Sequence, residues 1–163
     1  MSASEGSHIV LAMDESNHPV RALKFILTNL VHTAEDTITT LVVIQSEAER
    51  EATVSRTKTL VSAIYDSFPN ACKFSIKTIV ASSASQVGPK ICEFVETSTP
   101  DMLVLGSAGK SHLEGMMVGS VSNYAISHAN CPVLVARLTT ADESRLERRG
   151  KKVPTKTEPF WLS

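Results

Sequence analysis

The hydrophobic pattern of this chain predicts an α/β fold, a single doubly wound, Rossmann-like open parallel sheet of five strands. Three observations carry that prediction. Strand-like apolar runs alternate with helical apolar stripes four times along the sequence. Most of the strands are continuously apolar rather than alternating, as strands covered on both faces must be. Four of the seven glycines fall within residues 106–119, just past the fourth strand, at the sheet edge where such folds place ligands.

The elements follow in order. HIVLAM (His8–Met13) reads as the first strand, and Pro19 suits the first turn of the helix after it, where a missing N–H costs nothing. Val20, Leu23, Leu27, Leu30 and Val31 give that helix its buried stripe. TITTLVVI (Thr37–Ile44) is β-branched and buried. A second helix is expected over 47–68, with Val54, Val61, Ile64, Tyr65 and Phe68 inward. CKFSIKTIV (Cys72–Val80) alternates at its start, which predicts a solvated edge strand. Val87, Ile91, Phe94 and Val95 repeat as a helix, DMLVLG (Asp101–Gly106) is the fourth strand, and Ser120–Asn130 the last helix. CPVLVAR (Cys131–Arg137) closes the sheet, its proline at the entry where a donor is dispensable. Residues 1–7 read as a flexible arm, 8–138 as one domain, and 139–163 as a mobile tail without period, rich in charge, Thr and Pro.

Composition narrows the function. The net charge is −1, and residues 1–138 carry ten Lys/Arg against thirteen Asp/Glu, which argues against nucleic acid as partner. Cys72, Cys92 and Cys131 are widely spaced, as thiols in a reducing compartment are. The first residues show no basic-then-apolar signal region and no run reaches membrane-spanning length, so a cytoplasmic protein without a membrane partner is expected. The five histidines, His8, His18, His32, His112 and His128, show no metal-ligand spacing with the cysteines, and no metal site is expected.

The segment LVLGSAGKSHLEGMMVGSVS (103–122) contains Gly109-Lys110-Ser111, which ends like a P-loop. The glycine such a loop needs five positions earlier would be Val104, inside the strand, so that reading fails. What stands is Gly106-x2-Gly109-x9-Gly119-Ser120, then Val121-Ser122. Gly106 and Gly109 let the backbone turn and approach a ligand closely. Gly119-Ser120 opens a helix whose free N–H groups and dipole favour an anion, with the Ser120 and Ser122 hydroxyls as further donors. The plain alternative is that the glycines are turn residues and Ser120 an ordinary N-cap. Asp14, after the first strand, is one well-placed carboxylate; phosphoryl transfer needs metal, nucleophile and charge stabilisation together, so no catalytic residue is assigned.

This glycine spacing, followed by CPVLV (131–135) and preceded by VLAMDES (10–16) and DMLVLGS (101–107), resembles the universal stress protein family in its nucleotide-binding branch, over about residues 8–138. The resemblance implies strand order 3-2-1-4-5 and a homodimer, and the uncovered apolar edge VLVA places that dimer at the strand Pro132–Arg137. It also implies ATP, or AMP or ADP, at the switch point, with any Mg2+ carried by the nucleotide. Asp14 would meet the ribose and the backbone of Val43 the adenine; Gly106, Gly109, Gly119, Ser120 and Ser122 would hold phosphates, with Lys110 adding charge. Ala12 and Val121 belong to the same implied site. Two departures from the family pattern are Ala108 and Lys110, where it often has His or Arg in the first glycine loop, and Glu15 where many members have Gly. The functional expectation is a nucleotide-dependent regulatory or sensor module in the stress response. Its rivals are a slow ATPase or nucleotidyl-transfer enzyme on the same site, and a dimer scaffold without nucleotide.

Overall fold

The computed structural model describes residues 6–13, 18–68, 72–106, 119–137, 140–150 and 160–162. Strands β1 (His8–Met13), β2 (Thr37–Ile44), β3 (Lys73–Val80), β4 (Met102–Gly106) and β5 (Val133–Ala136) form the expected sheet. Helices α1 (His18–Asn29), α2 (Arg50–Tyr65), α3 (Ala84–Ser98) and α4 (Ser120–His128) lie between them, a 3-10 turn at Glu47–Glu49 preceding α2. The order is β5-β4-β1-β2-β3 with a sixth strand, β6 (Phe160–Trp161), beyond β3, and every pairing is parallel.

Strand periodicity splits the core into two layers. From β1, Ile9, Leu11 and Met13 pack with Leu23 and Leu27 of α1 and Val61 and Tyr65 of α2. Val10 and Ala12 point the other way, toward Ile91 and Val95 of α3 and Ala125 of α4. A β-carbon added at Gly88 would meet the Tyr124 side chain at 3.0 Å, so glycine there sets how closely α3 and α4 approach.

The amino ends of the strands are tied down by carboxylates. Asp36 is 4% exposed; Ser7 N–H donates to its Oδ1 at 2.8 Å, and the N–H groups of His32 and Thr33 donate to its Oδ2 at 2.7 and 2.9 Å. One side chain thus joins the chain before β1, the end of the α1 connection and the start of β2. Gly6 and Ser7, read as the end of a flexible arm, are part of this junction. Asp101 Oδ2 accepts the N–H of His8 at 2.7 Å, linking β4 to β1.

Three expectations are corrected. The inward face of α2 carries Thr53 and Thr57, both 7% exposed, in place of Val54, because the helix is rotated to bring Thr53, Thr57, Val61 and Ile64 onto the sheet. β3 is covered at its start: Phe160 and Trp161 pair with Lys73 and Phe74, and Leu162 N–H donates to Phe74 O at 2.7 Å, while residues 75–80 have no strand beyond them among the described residues. The segment after Arg137 also holds regular structure, β6 and helix α5 (Thr140–Gly150), which packs on α1 and buries Leu146 to 2% exposure. A helix with so few apolar positions and a two-residue strand leave no periodic trace in sequence.

Trp161 anchors the sixth strand. Its ring lies 5.7 Å from Phe74, and Lys58 Nζ lies 5.1 Å from its centroid. Trp161→Ala is expected to cost about 1–2 kcal/mol, from the lost aromatic contact and area. It also bares the β3 edge, so self-association rising with concentration should accompany the lower melting temperature. Light scattering across a dilution series, with calorimetry, checks both.

Candidate functional site at the carboxyl edge

β1 lies between β2 and β4, with Ala12 in register with Leu41 on one side and Leu105 on the other. The chain leaving β1 turns to the α1 layer, and the chain leaving β4 turns to the α4 layer. That reversal is the switch point, where the two crossovers part and leave a crevice beyond the strand ends. Ala12 and Gly106 stand at this edge, Gly106 level with Ala136 of β5. Val43 stands near the end of β2, its side chain packed into the α3/α4 layer, so its backbone is the part that can meet a ligand. Asp14, Gly109 and Lys110, like His112, Met116 and Met117, lie outside the described residues.

α4 connects the end of β4 to the start of the parallel β5, so its N-terminus lies at the same carboxyl edge. Its N-cap is Gly119, not Ser120, and no side chain caps it. Asn123 N–H donates to Gly119 O at 3.0 Å, and the first turn's earlier N–H groups have no partner within the helix. Ser120, the first helical residue, is exposed, while Val121 is half-buried and Ser122 is 5% exposed. Gly119 has φ −58°, a value any residue adopts. Among the described residues, a β-carbon there would meet nothing within 4 Å. Neither backbone strain nor packing within the described structure calls for glycine at this position.

A cavity of about 390 Å3 opens at the same edge on the α2 side, floored by Met13, Val42 and Ile44 and walled by Thr53, Thr57 and Leu60. Sequence reasoning found only Val43 of its lining. The α2 residues were missed because threonines on an inward face read as breaks in an apolar stripe. Arg56 Nη2 donates to Thr53 Oγ1 at 3.3 Å beside this cavity. Among the described residues no three His, Cys, Asp or Glu side chains gather as a metal-binding group. Cys72 is buried and Cys92 and Cys131 half-buried; burial raises the pKa of both half-buried thiols, which keeps them protonated and poor nucleophiles.

Known proteins share this fold. The chain is 45% identical over 47 residues to an uncharacterised protein of Schizosaccharomyces pombe, and the stretch covers 29% of this chain and 8% of that protein. It is 44% identical over 48 residues to a universal stress protein of Methanocaldococcus jannaschii, covering 29% of this chain and 28% of that one. The matched stretches therefore span less than a third of either relative. Among solved structures, a universal stress protein in complex with cAMP matches with TM-score 0.60 at 18% identity, over 83% of this chain and 100% of that one. The Archaeoglobus fulgidus universal stress protein in complex with dAMP matches with TM-score 0.58 at 18% identity, over 82% and 99%. The sequence model of the universal stress protein family matches residues 6–137, and the chain belongs to that family.

Proposed function

We propose that this protein binds an adenine nucleotide, ATP or its AMP and ADP relatives, at the carboxyl edge, and acts as a nucleotide-dependent regulatory or sensor module in the stress response. The observation that carries the reading is Gly119: no described atom stands within 4 Å of a β-carbon placed beside this helix N-terminus, which no side chain caps, at the switch point, where a phosphate gains backbone N–H donors and the helix dipole. The two structural neighbours in complex with cAMP and dAMP support the same ligand class.

In this proposal Gly106, Gly109, Gly119, Ser120, Val121 and Ser122 surround the phosphates and Lys110 neutralises them. Asp14 takes the ribose beside Ala12, and the Val43 backbone takes the base. Mg2+, where present, arrives on the nucleotide. β5 pairs with β4 alone among the described strands, which supports a homodimer through Pro132–Arg137 whose two-fold pairing satisfies that edge. A cytoplasmic setting completes the proposal.

A thermal shift tests it. A ligand that binds only the folded state adds about 2.7 kcal/mol at a hundredfold excess over Kd. Millimolar ATP with Mg2+ should raise the melting temperature; no rise sinks the proposal.

A further inference from the structure

Resting on the nucleotide reading, the cavity beside α2 has a wall to which the glycine pattern assigns no role. Helical threonines elsewhere in this chain turn their hydroxyls back on their own helix: Thr28 donates to Lys24 O at 2.8 Å, Thr59 to Ser55 O at 3.1 Å and Thr97 to Glu93 O at 3.0 Å. Such a back-bond is the usual outlet for a threonine inside a helix. Thr57 behaves differently. It is 7% exposed and lines the cavity, and among the described residues no hydrogen bond engages its hydroxyl. No fully buried side-chain polar atom among the described residues lacks a partner, so this hydroxyl is reached by solvent, and the cavity it lines is the way in. One turn away the Thr53 hydroxyl is already engaged by Arg56, which holds the planar guanidinium against the cavity wall.

The lining therefore combines an apolar floor of Met13 and Ile44, an apolar rim at Leu60, an unspent hydroxyl, a flat cation at Arg56 and a carboxylate at Glu49. An alkyl chain would strip water from Thr57 and return no hydrogen bond, which is unfavourable. A flat heterocycle whose polar edge carries an N–H donor suits this lining: its ring covers the apolar floor, its edge pairs with the hydroxyl, a guanidinium stacks on aromatic faces, and a carboxylate accepts from the N–H group. The volume, about 390 Å3, falls within the range of small-molecule sites.

We propose that α2 supplies the base-reading wall of the nucleotide site, with Thr57 as the side chain that hydrogen-bonds the edge of the purine ring. Thr57 is then a specificity-determining residue, and the phosphates remain the business of the α4 end.

The test is calorimetric titration of the intact chain with ATP–Mg2+ and, separately, inorganic tripolyphosphate. Thr57→Val keeps the side-chain shape and removes the hydroxyl, while Thr57→Ser keeps the hydroxyl. Thr57→Val is expected to weaken ATP about five- to tenfold, the worth of one hydrogen bond, with tripolyphosphate affinity unchanged and Thr57→Ser close to wild type. Unchanged ATP affinity in Thr57→Val overturns the proposal, as does an equal loss for both ligands, which would mean general damage to α2. Wild type binding ATP no more tightly than tripolyphosphate overturns it too, while leaving the phosphate site standing. Wild type binding neither ligand would take the nucleotide reading down as well.

Discussion

Asp36→Ala is expected to lower folding stability by about 3 kcal/mol. The carboxylate is 4% exposed and accepts backbone N–H groups from Ser7, His32 and Thr33. A hydrogen bond to a charged acceptor contributes about 1.5–3 kcal/mol, and a donor left buried without a partner loses its solvation as well. The full sum is not reached, because a cavity at the sheet's end admits water to some of the freed donors. Asp36→Asn should fall nearly as far, since its NH2 group opposes N–H donors that the second carboxylate oxygen accepted. Urea denaturation at neutral pH measures the loss; a change below about 0.5 kcal/mol, the scale of ordinary surface substitutions, would show that the junction is held by other contacts.

The same site fixes the acid limb. Burial alone pushes the Asp36 carboxyl up, but the backbone donors from His32, Thr33 and Ser7 outweigh it and hold the pKa below its ordinary 3.8. Because the folded value lies below the unfolded one, the stabilisation is complete above the unfolded pKa and is lost as pH falls through the folded one. The gap between wild type and Asp36→Asn should therefore narrow as pH drops below about 4. His8 starts the decline earlier. Burial holds its pKa below 6.5, with Asp101 opposing, while Nε2 lies 2.9 Å from Thr39 Oγ1. The native state keeps this ring neutral, so its contribution is whole above 6.5 and erodes as pH falls below that value.

Gly119→Val is expected to abolish ATP binding while the protein stays folded. A β-carbon at this position meets no described residue within 4 Å and φ is −58°, so neither a clash with the described residues nor backbone strain follows in the free protein. The fold loses only the preference for glycine over valine at an N-cap, about 1 kcal/mol or less. The ligand loses far more in the proposed arrangement, because the new methyl groups stand beside the N–H groups of the first turn, where a phosphate must come within hydrogen-bond distance. Circular dichroism and titration calorimetry separate the two effects. Gly109→Val should behave in the same way, with Ala108→Val as its matched control. Undiminished ATP affinity in Gly119→Val would return this glycine to an incidental residue.

The sheet was legible because its signals are strong and local. Continuous apolar runs such as Leu103–Leu105 and the inward stripe of Leu23, Leu27 and Val31 state strand and helix without reference to the rest of the chain. The glycine cluster pointed to the carboxyl edge for the same reason, and the fold brings Ala12, Gly106 and Gly119 to that edge with Val43 at the end of the neighbouring strand. What escaped depends on distant partners. Lys73, Ser75 and Lys77 gave β3 an edge-like pattern, yet its first two residues are paired by Phe160 and Trp161, more than eighty residues later in the chain. Their pairing rests on one aromatic contact and a few backbone bonds, which leave no period to read. Thr53 and Thr57 are polar by type and buried by position, so the cavity wall they form emerges only once α2 lies against β2.

Amide hydrogen exchange with and without saturating ATP–Mg2+ tests the central claim most directly, because it locates the ligand as well as detecting it. The account predicts slowed exchange at the first turn of α4, Ser120–Ser122, and at Val43–Ile44 at the end of β2, with the amino-end junction around Asp36 unchanged. Protection confined to another part of the sheet, or no protection at millimolar ATP, would contradict it.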